Sequence, residues 1–312
     1  IASTAGERID TLLRSTATFI DASGGTLRVK DKTQWVDFPY DTLKLSSTLT
    51  PKKVDSSLDF RGGKLGQLLA RLSIDPVAKA KPVSGTFNLS GLDVSVARPF
   101  VPMVEKLNGK LNGDGRISGT LLAPQINGNV VLSEGEVSGP ELPVSLEKLN
   151  LQALIAGESV QLKGNWSSGP TGQGSLAGQV AWAQALDVDV RLQGSRLPIT
   201  VEPYAKLEAA PDLKITLQGD RLAVSGKVLI PKGDITVRQL PPSTVKVSDD
   251  TVIVGEQTKQ GKPPMAMAMD VNVEVGQDKL GFSGFGLTAN LAGHVHIGDN
   301  LDTRGELNLN DG

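Results

Sequence analysis

The 312-residue chain contains no cysteine, which removes thiolate metal sites, cysteine nucleophiles and disulfide frames together. Small secreted domains commonly need such staples, but a chain of this length does not. Aromatic residues are scarce: three Trp, two Tyr and seven Phe, 12 in all. That is too few to interleave with cations as a base-stacking platform, to build a sugar-binding surface or to girdle an outer-membrane barrel. Neither sign of charge dominates, since 32 basic and 34 acidic residues leave a formal charge of −2. With no run of like charges, a nucleic-acid partner is not expected. No apolar stretch approaches a membrane-spanning helix, so no transmembrane segment is expected. Nor does a basic start lead into an apolar block as in a signal peptide. The chain opens at Ile1 rather than Met, which reads as a piece of something longer. The lack of cysteine fits a bacterial envelope compartment.

What is present is one phrase written three times, at Asn127–Gly135, Ser225–Gly233 and Arg304–Gly312. Each copy has glycines seven apart, with aliphatics two and four residues after the first glycine. Those positions share a parity and project from one face of a strand. The closing glycine follows a polar pair, which predicts a tight turn with positive φ.

Alternation continues through most of the chain. Met265, Met267, Met269, Val271, Val273 and Val275 hold one parity, while Ala266, Ala268, Asp270, Asn272 and Glu274 hold the other. The same rule runs through 186–192, 213–217, 176–182, 222–230, 160–166 and 291–297. Period-two patterning over so many segments predicts half-buried strands. The opposite parity is polar, which excludes a parallel sheet sandwiched between helices. The fold class is therefore all-β with few short helices.

Three places carry helical spacing: Ile9, Leu12, Leu13, Thr16 and Ile20; Leu65, Leu68, Leu69 and Leu72; and Val101, Val104 and Leu107 behind Pro99 and Pro102. Two polar, glycine- or proline-rich stretches, 167–174 and 256–264, read as long loops or hinges. Softer boundaries are expected near 80–100 and 256–264 within one continuous segment, 1–312.

A one-sided sheet must bury its apolar face against another sheet, against helices, or by curling on itself. Recurrence of similar strands favours an elongated object of stacked units. Glycines on the apolar parity (Gly128, Gly164, Gly178, Gly226, Gly293 and Gly305) leave gaps in that face and permit strong bending. Two interiors remain open on these residues: a core filled to crystal-like density, or a groove for flexible hydrocarbon. In a groove, each buried methylene is worth about 0.8 kcal/mol.

A family resemblance bears on this choice. The stretch from Leu107 to Leu132, with its Gly-x-Leu-x-Gly-x-Gly-x-Ile-x-Gly-Thr-Leu-x-x-Pro-x-Ile-x-Gly pattern, resembles a motif of the TamB family. The run from Pro211 to Ile235 is similar to that family's recurring Leu-x-Leu-x-Gly-x-Val-x-Ile-Pro-x-Gly-x-Ile element. The resemblance spans about residues 60–312. It implies a β-taco, an elongated curled sheet with a hydrophobic interior groove, as in AsmA-like bridge proteins. It also implies a periplasmic location within a protein anchored in the inner membrane. The implied roles are carriage of phospholipids between the membranes and assembly of outer-membrane β-barrel proteins with the barrel protein TamA. The implied partners are phospholipid acyl chains, TamA and nascent barrel proteins.

On that basis the expected groove-lining residues are Val130, Leu132, Leu176, Val180, Leu186, Val188, Val190, Leu192, Leu213, Ile215, Leu217, Val224, Val228, Ile230, Met265, Met267, Met269, Val271, Val273 and Val275. The methionines offer an adaptable, polarisable surface, though they would equally fill irregular core space.

Catalytic and metal chemistry finds no support. His294 and His296 share a face but lack a recognisable third ligand, and their parity opposes Val295 and Ile297. Asp249 and Asp250 read as a turn. The run Gly281–Gly286 lacks the lysine and following helix of a phosphate-binding loop. No serine or carboxylate has an activating partner, so the chain is read as a non-enzyme without cofactor or metal.

Overall fold

The computed structural model describes residues 16–31, 34–101, 103–140, 142–183, 185–237 and 266–310. Among these residues the chain is almost wholly β, with 17 strands and three short 3-10 turns. It divides into two compact units after Val190.

The first unit contains β1 (Thr16–Asp31), β2 (Gln34–Leu49), β3 (Val54–Arg61), β4 (Gln67–Ile74), β5 (Val83–Asp93), β6 (Lys106–Gly119), β7 (Pro124–Ser138), β8 (Leu146–Gly157), β9 (Ser159–Ser168) and β10 (Gly172–Ala181). From β1 to β10 every strand pairs antiparallel with the next in sequence. Directly opposed residues share a face, so the register assembles rows that run across strands. One row reads Ile20, Leu45, Leu58, Ala70, Phe87, Gly115, Gly128, Ile155, Val160 and Val180. A parallel row reads Leu43, Phe60, Leu68, Leu89, Gly113, Val130, Ala153, Leu162 and Gly178. The odd–even alternation of separate strands thus becomes one apolar face.

The strand β11 (Asp187–Ser195) carries the division between units. Beyond it come β12 (Leu197–Val201), β13 (Ala205–Gln218), β14 (Arg221–Val237), β15 (Ala266–Gly284), β16 (Leu287–Ile297) and β17 (Thr303–Asn310). From β12 onward neighbours pair antiparallel except β14 and β15, which run parallel. The rows of this unit are also apolar: Leu213, Gly226, Val271 and Ile297 in one, Pro211, Val228, Val273 and Val295 in the next.

The repeated phrase is a strand as expected, but its end is not a turn. Gly135 and Gly233 lie inside β7 and β14, each at or just past a register shift. On β7 the shift follows Leu132, with Glu134 at φ 53° and Gly135 buried. An extra residue at such a bulge swaps the parity of the residues beyond it. On β14 the apolar set passes from Val228 and Ile230 to Gly233 and Ile235, opposite Leu280 and Phe282 of β15. The polar pair before the closing glycine therefore lets a long strand keep one apolar face across a kink. The third closing glycine, Gly312, lies outside the described residues.

The helical readings also yield to strands. Leu68, Ala70 and Leu72 sit on β4 and face Phe60, Leu58 and Ser56, while Leu69 points to the other face and is 38% exposed. The i, i+3, i+4 spacing contained both parities, and pairing on two sides selected the period of two. Val94–Phe100 forms a 3-10 turn capped by Asp93, and Leu107 belongs to β6. Ile20 lies in β1, whereas Ile9 to Leu13 fall outside the described residues. The expected loop at 167–174 shrinks to three residues between Ser168 and Gly172. The other, 256–264, lies outside the described residues, as do Asp249 and Asp250.

Candidate functional site: an open apolar face

The apolar face is the dominant surface feature of each unit. Among the described residues 11 hydrophobic side chains are buried, against 24 large hydrophobics that stand exposed. Some of the exposed ones lie in turns or on the other face, as Leu122, Phe285 and Leu69 do. Ile20, Leu45 and Met267 are among the exposed residues and lie in the apolar rows themselves.

Of the 20 expected lining residues, all but Met265 fall among the described residues. Fifteen are half-buried: Val130, Leu132, Leu176, Val180, Val188, Leu192, Leu213, Ile215, Leu217, Val224, Val228, Ile230, Met269, Val273 and Val275. Val190 and Val271 are buried, Leu186 and Met267 are exposed, and Met265 lies outside the described residues. In the second unit the register joins Ile215, Val224 and Met269, then Leu217, Leu222 and Met267, in neighbouring rows. Leu186 precedes β11 and belongs to no row. Sequence reading missed the rows on β1 to β5, with Leu43, Leu45, Leu58, Phe60 and Phe87. Shorter strands and serine-rich stretches hid their alternation.

The glycines on this face fall into two kinds. At Gly226 (φ 135°) and Gly293 (φ 152°) the backbone adopts a conformation that L side chains rarely reach. A Cβ there would also strike a carbonyl of the adjoining strand, Asp212 or Glu306. At Gly128 and Gly178 the carbonyls of Asp114 and Asp189 lie as close, whereas at Gly25, Gly115 and Gly174 a ring fills the glycine's place. Tyr40 lies over Gly25, Phe87 over Gly115 and Trp166 over Gly174, each ring sitting on the glycine directly opposite in register. The scarce aromatics are thus spent partly on closing gaps, as cross-strand rings do for sheet glycines.

Polar groups are almost confined to the other face. Arg191 grips Asp212 through two hydrogen bonds of 2.8 and 2.7 Å, and Arg28 grips Asp37 at 2.7 and 2.9 Å. These hydrogen bonds hold both carboxyls below the usual aspartate range. His294 and His296 are on this polar face, between Glu274 and Glu306 and between Asn272 and Arg304. His296 Nδ1 lies 3.2 Å from the Asn272 side-chain oxygen. Gly281 to Gly284 end β15, and Phe285 and Gly286 make the two-residue turn into β16, so no phosphate loop forms. Among the described residues no group of three or more ligating side chains could hold a metal, and no helix is long and apolar enough to cross a membrane. On the apolar face, Trp166 Nε1 and Ser168 Oγ are buried side-chain polar atoms without a partner.

The geometry defines a class of all-β protein built as a sheet wall, apolar on one face and polar on the other. Two family models match the chain. The model of the TamB N-terminal domain matches residues 13–132, and that of the TamB C-terminal domain matches residues 161–312. The chain belongs to the TamB family. It is 22% identical over 287 residues to the translocation and assembly module subunit TamB of Haemophilus influenzae. That alignment covers 86% of this chain and 22% of the relative, so the chain spans about a fifth of that protein's length. No solved structure matches. The gap between the two family matches, 133–160, falls within β7 to β9, whereas the structural division comes later, after Val190.

Proposed function

We propose that this chain is a periplasmic segment of an envelope-spanning bridge whose apolar face carries phospholipid acyl chains between the inner and outer membranes. The observation behind this reading is the open face, where the aliphatic rows stay half-buried and large hydrophobics remain exposed. A row of Val, Leu and Ile suits hydrocarbon because contact is non-directional and scales with area. A long acyl chain laid on it gains roughly 10 kcal/mol before ordering costs, at about 0.8 kcal/mol per methylene. Glycine and ring-filled positions keep the wall free of large projections. No step of this function needs bond chemistry, which fits a non-catalytic role.

A second reading is a scaffold for assembling outer-membrane β-barrel proteins with TamA. It draws on β17, which is exposed at every position and presents Leu307 and Leu309 beside its backbone. Such a strand suits β-augmentation by an incoming segment. Native mass spectrometry of the chain purified from bacterial envelopes separates the two. Lipid adducts that vanish in Val228→Asp and Val273→Asp variants support the bridge. Adducts of unfolded barrel proteins without lipid support the scaffold. Undiminished lipid carriage with both charges in place contradicts the bridge.

A further inference from the structure

The first unit holds a second, independent surface on the side away from its apolar rows. A cavity of about 820 Å³ crosses β1 to β6, bounded by three adjacent rows. The middle row is Ile20, Leu45, Leu58, Ala70, Phe87 and Gly115, flanked by one row through Ser57, Arg71 and Arg116 and another through Lys44, Asp59 and Asp114. The next rows of the apolar face, which contain Leu43, Phe60 and Leu72, do not border it. Side chains of the two flanking rows point together, away from the apolar face, so the cavity is a furrow between them with the middle row as its floor.

The charges in the furrow are segregated. On one wall Arg71 and Arg116 stand either side of Thr86, each directly opposite it in register. Their Cα atoms are therefore about two strand spacings apart, roughly 9.5 Å. Neither arginine has an ion pair or hydrogen bond among the described residues. Next along that wall, the Ser46 and Ser57 hydroxyls bond to each other at 2.8 Å. Across the floor, Lys44 is paired with Asp21 at 3.3 Å, and Asp59 with Arg61 at 3.0 Å. Asp114 has no partner among the described residues and sits two residues from Arg116 on the same face of β6. A neighbouring cavity of about 510 Å³ shares Ser57, Arg71 and Thr86, so Arg71 is reachable from both sides of its ridge.

Two unclaimed guanidiniums with a hydroxyl between them form a fork for one tetrahedral anion, since guanidinium pairs bind phosphate oxygens bidentately. One unclaimed carboxylate on the facing wall repels a second anion and attracts a cation. We propose that the furrow binds a zwitterionic phosphodiester, its phosphate held by Arg71, Arg116 and Thr86 and its ammonium by Asp114. This site lies on the opposite face from the acyl-chain wall and does not depend on it.

The test is titration of the full chain with glycerophosphoethanolamine, inorganic phosphate and phosphatidylethanolamine vesicles, followed by amide chemical shifts and calorimetry. Glycerophosphoethanolamine is expected to shift amides of β4 to β6 and to bind more tightly than inorganic phosphate. The double variant Arg71→Gln/Arg116→Gln should weaken both at least about tenfold, as loss of charge-assisted hydrogen bonds implies. Asp114→Asn should weaken glycerophosphoethanolamine alone. Because these side chains are exposed and make no hydrogen bond or ion pair among the described residues, the variants leave the fold unchanged. Vesicle binding in addition identifies a membrane headgroup as the source, and soluble-ligand binding alone identifies a free ester. Absence of shifts in β4 to β6, or unchanged affinity in the double variant, overturns the site. Equal affinity for inorganic phosphate with no effect of Asp114→Asn overturns the zwitterion assignment.

Discussion

The two units solve the same problem with different materials. In the first, the apolar face mixes aliphatics with rings, and Phe87, Tyr40 and Trp166 close the gaps left by opposing glycines. It also admits polar groups, for the Ser47 and Ser56 hydroxyls bond across the same face at 3.0 Å. In the second, the rows of β13 to β16 through Val224, Val228, Val271, Val273 and Val295 carry no ring, and their glycines are pressed against neighbouring carbonyls. A ring can swing aside, whereas a backbone carbonyl in a ladder cannot. The same glycine-rich sequence pattern therefore hides two mechanical roles: a socket for a side chain, at Gly115 and Gly174 of the first unit, and an obligatory close approach, at Gly226 and Gly293 of the second and also at Gly128 and Gly178 of the first.

The largest expected effect comes from breaking the register device of the second unit. Inserting one alanine after Lys232 adds a residue beyond the one that the bulge of β14 holds and turns Gly233, Ile235 and Val237 toward the polar face. We expect the second unit to lose cooperative unfolding in urea, with rapid proteolysis after residue 191, while the first unit keeps its transition. Next comes Gly293→Ala, which combines an unfavourable φ with a collision against Glu306 and should cost about 3 kcal/mol by denaturant midpoint. The matching change in the first unit, Gly115→Ala, meets chiefly the Phe87 ring and should cost about 1 kcal/mol. If the two glycine variants cost the same, the division into sockets and close approaches fails.

The smallest effect is electrostatic and belongs to the first unit. Asp93 caps its 3-10 turn by accepting from the Ser95 amide at 2.9 Å and pairs with Lys110 at 2.8 Å. Desolvation pushes the Asp93 carboxyl up, but the Lys110 and Ser95 hydrogen bonds together outweigh it and hold the group below the usual aspartate range. A depressed carboxyl pKa gives stability that is present at neutral pH and lost as pH falls below about 4. Asp93→Asn should flatten the acid limb of the first unit's urea midpoint and leave that of the second unchanged.

Much of this was legible in the sequence, and particular residues show why the rest was not. Alternation through Leu213 to Ile230 and Met267 to Val275 is long and clean, so the strands and their apolar side could be read directly. The leucines of β4 satisfied both a helical and a strand period, and only pairing with β3 and β5 decides between them. The closing glycines looked like turn residues because a bulge and a turn share their chemistry at short range. The furrow was invisible in sequence because Arg71, Thr86 and Arg116 come from three strands, and register alone brings them together.

The central claim is that the apolar face is an open, hydrocarbon-accepting wall, distinct from the polar face behind it. Its most direct test places a photo-crosslinking amino acid at Val273, and in a separate protein at Asn272, one residue along on the opposite face of β15. With the chain in its native envelope, illumination should yield phospholipid adducts from position 273 and none above background from position 272. Equal labelling from both positions, or none from position 273 while the protein remains folded, would contradict the account.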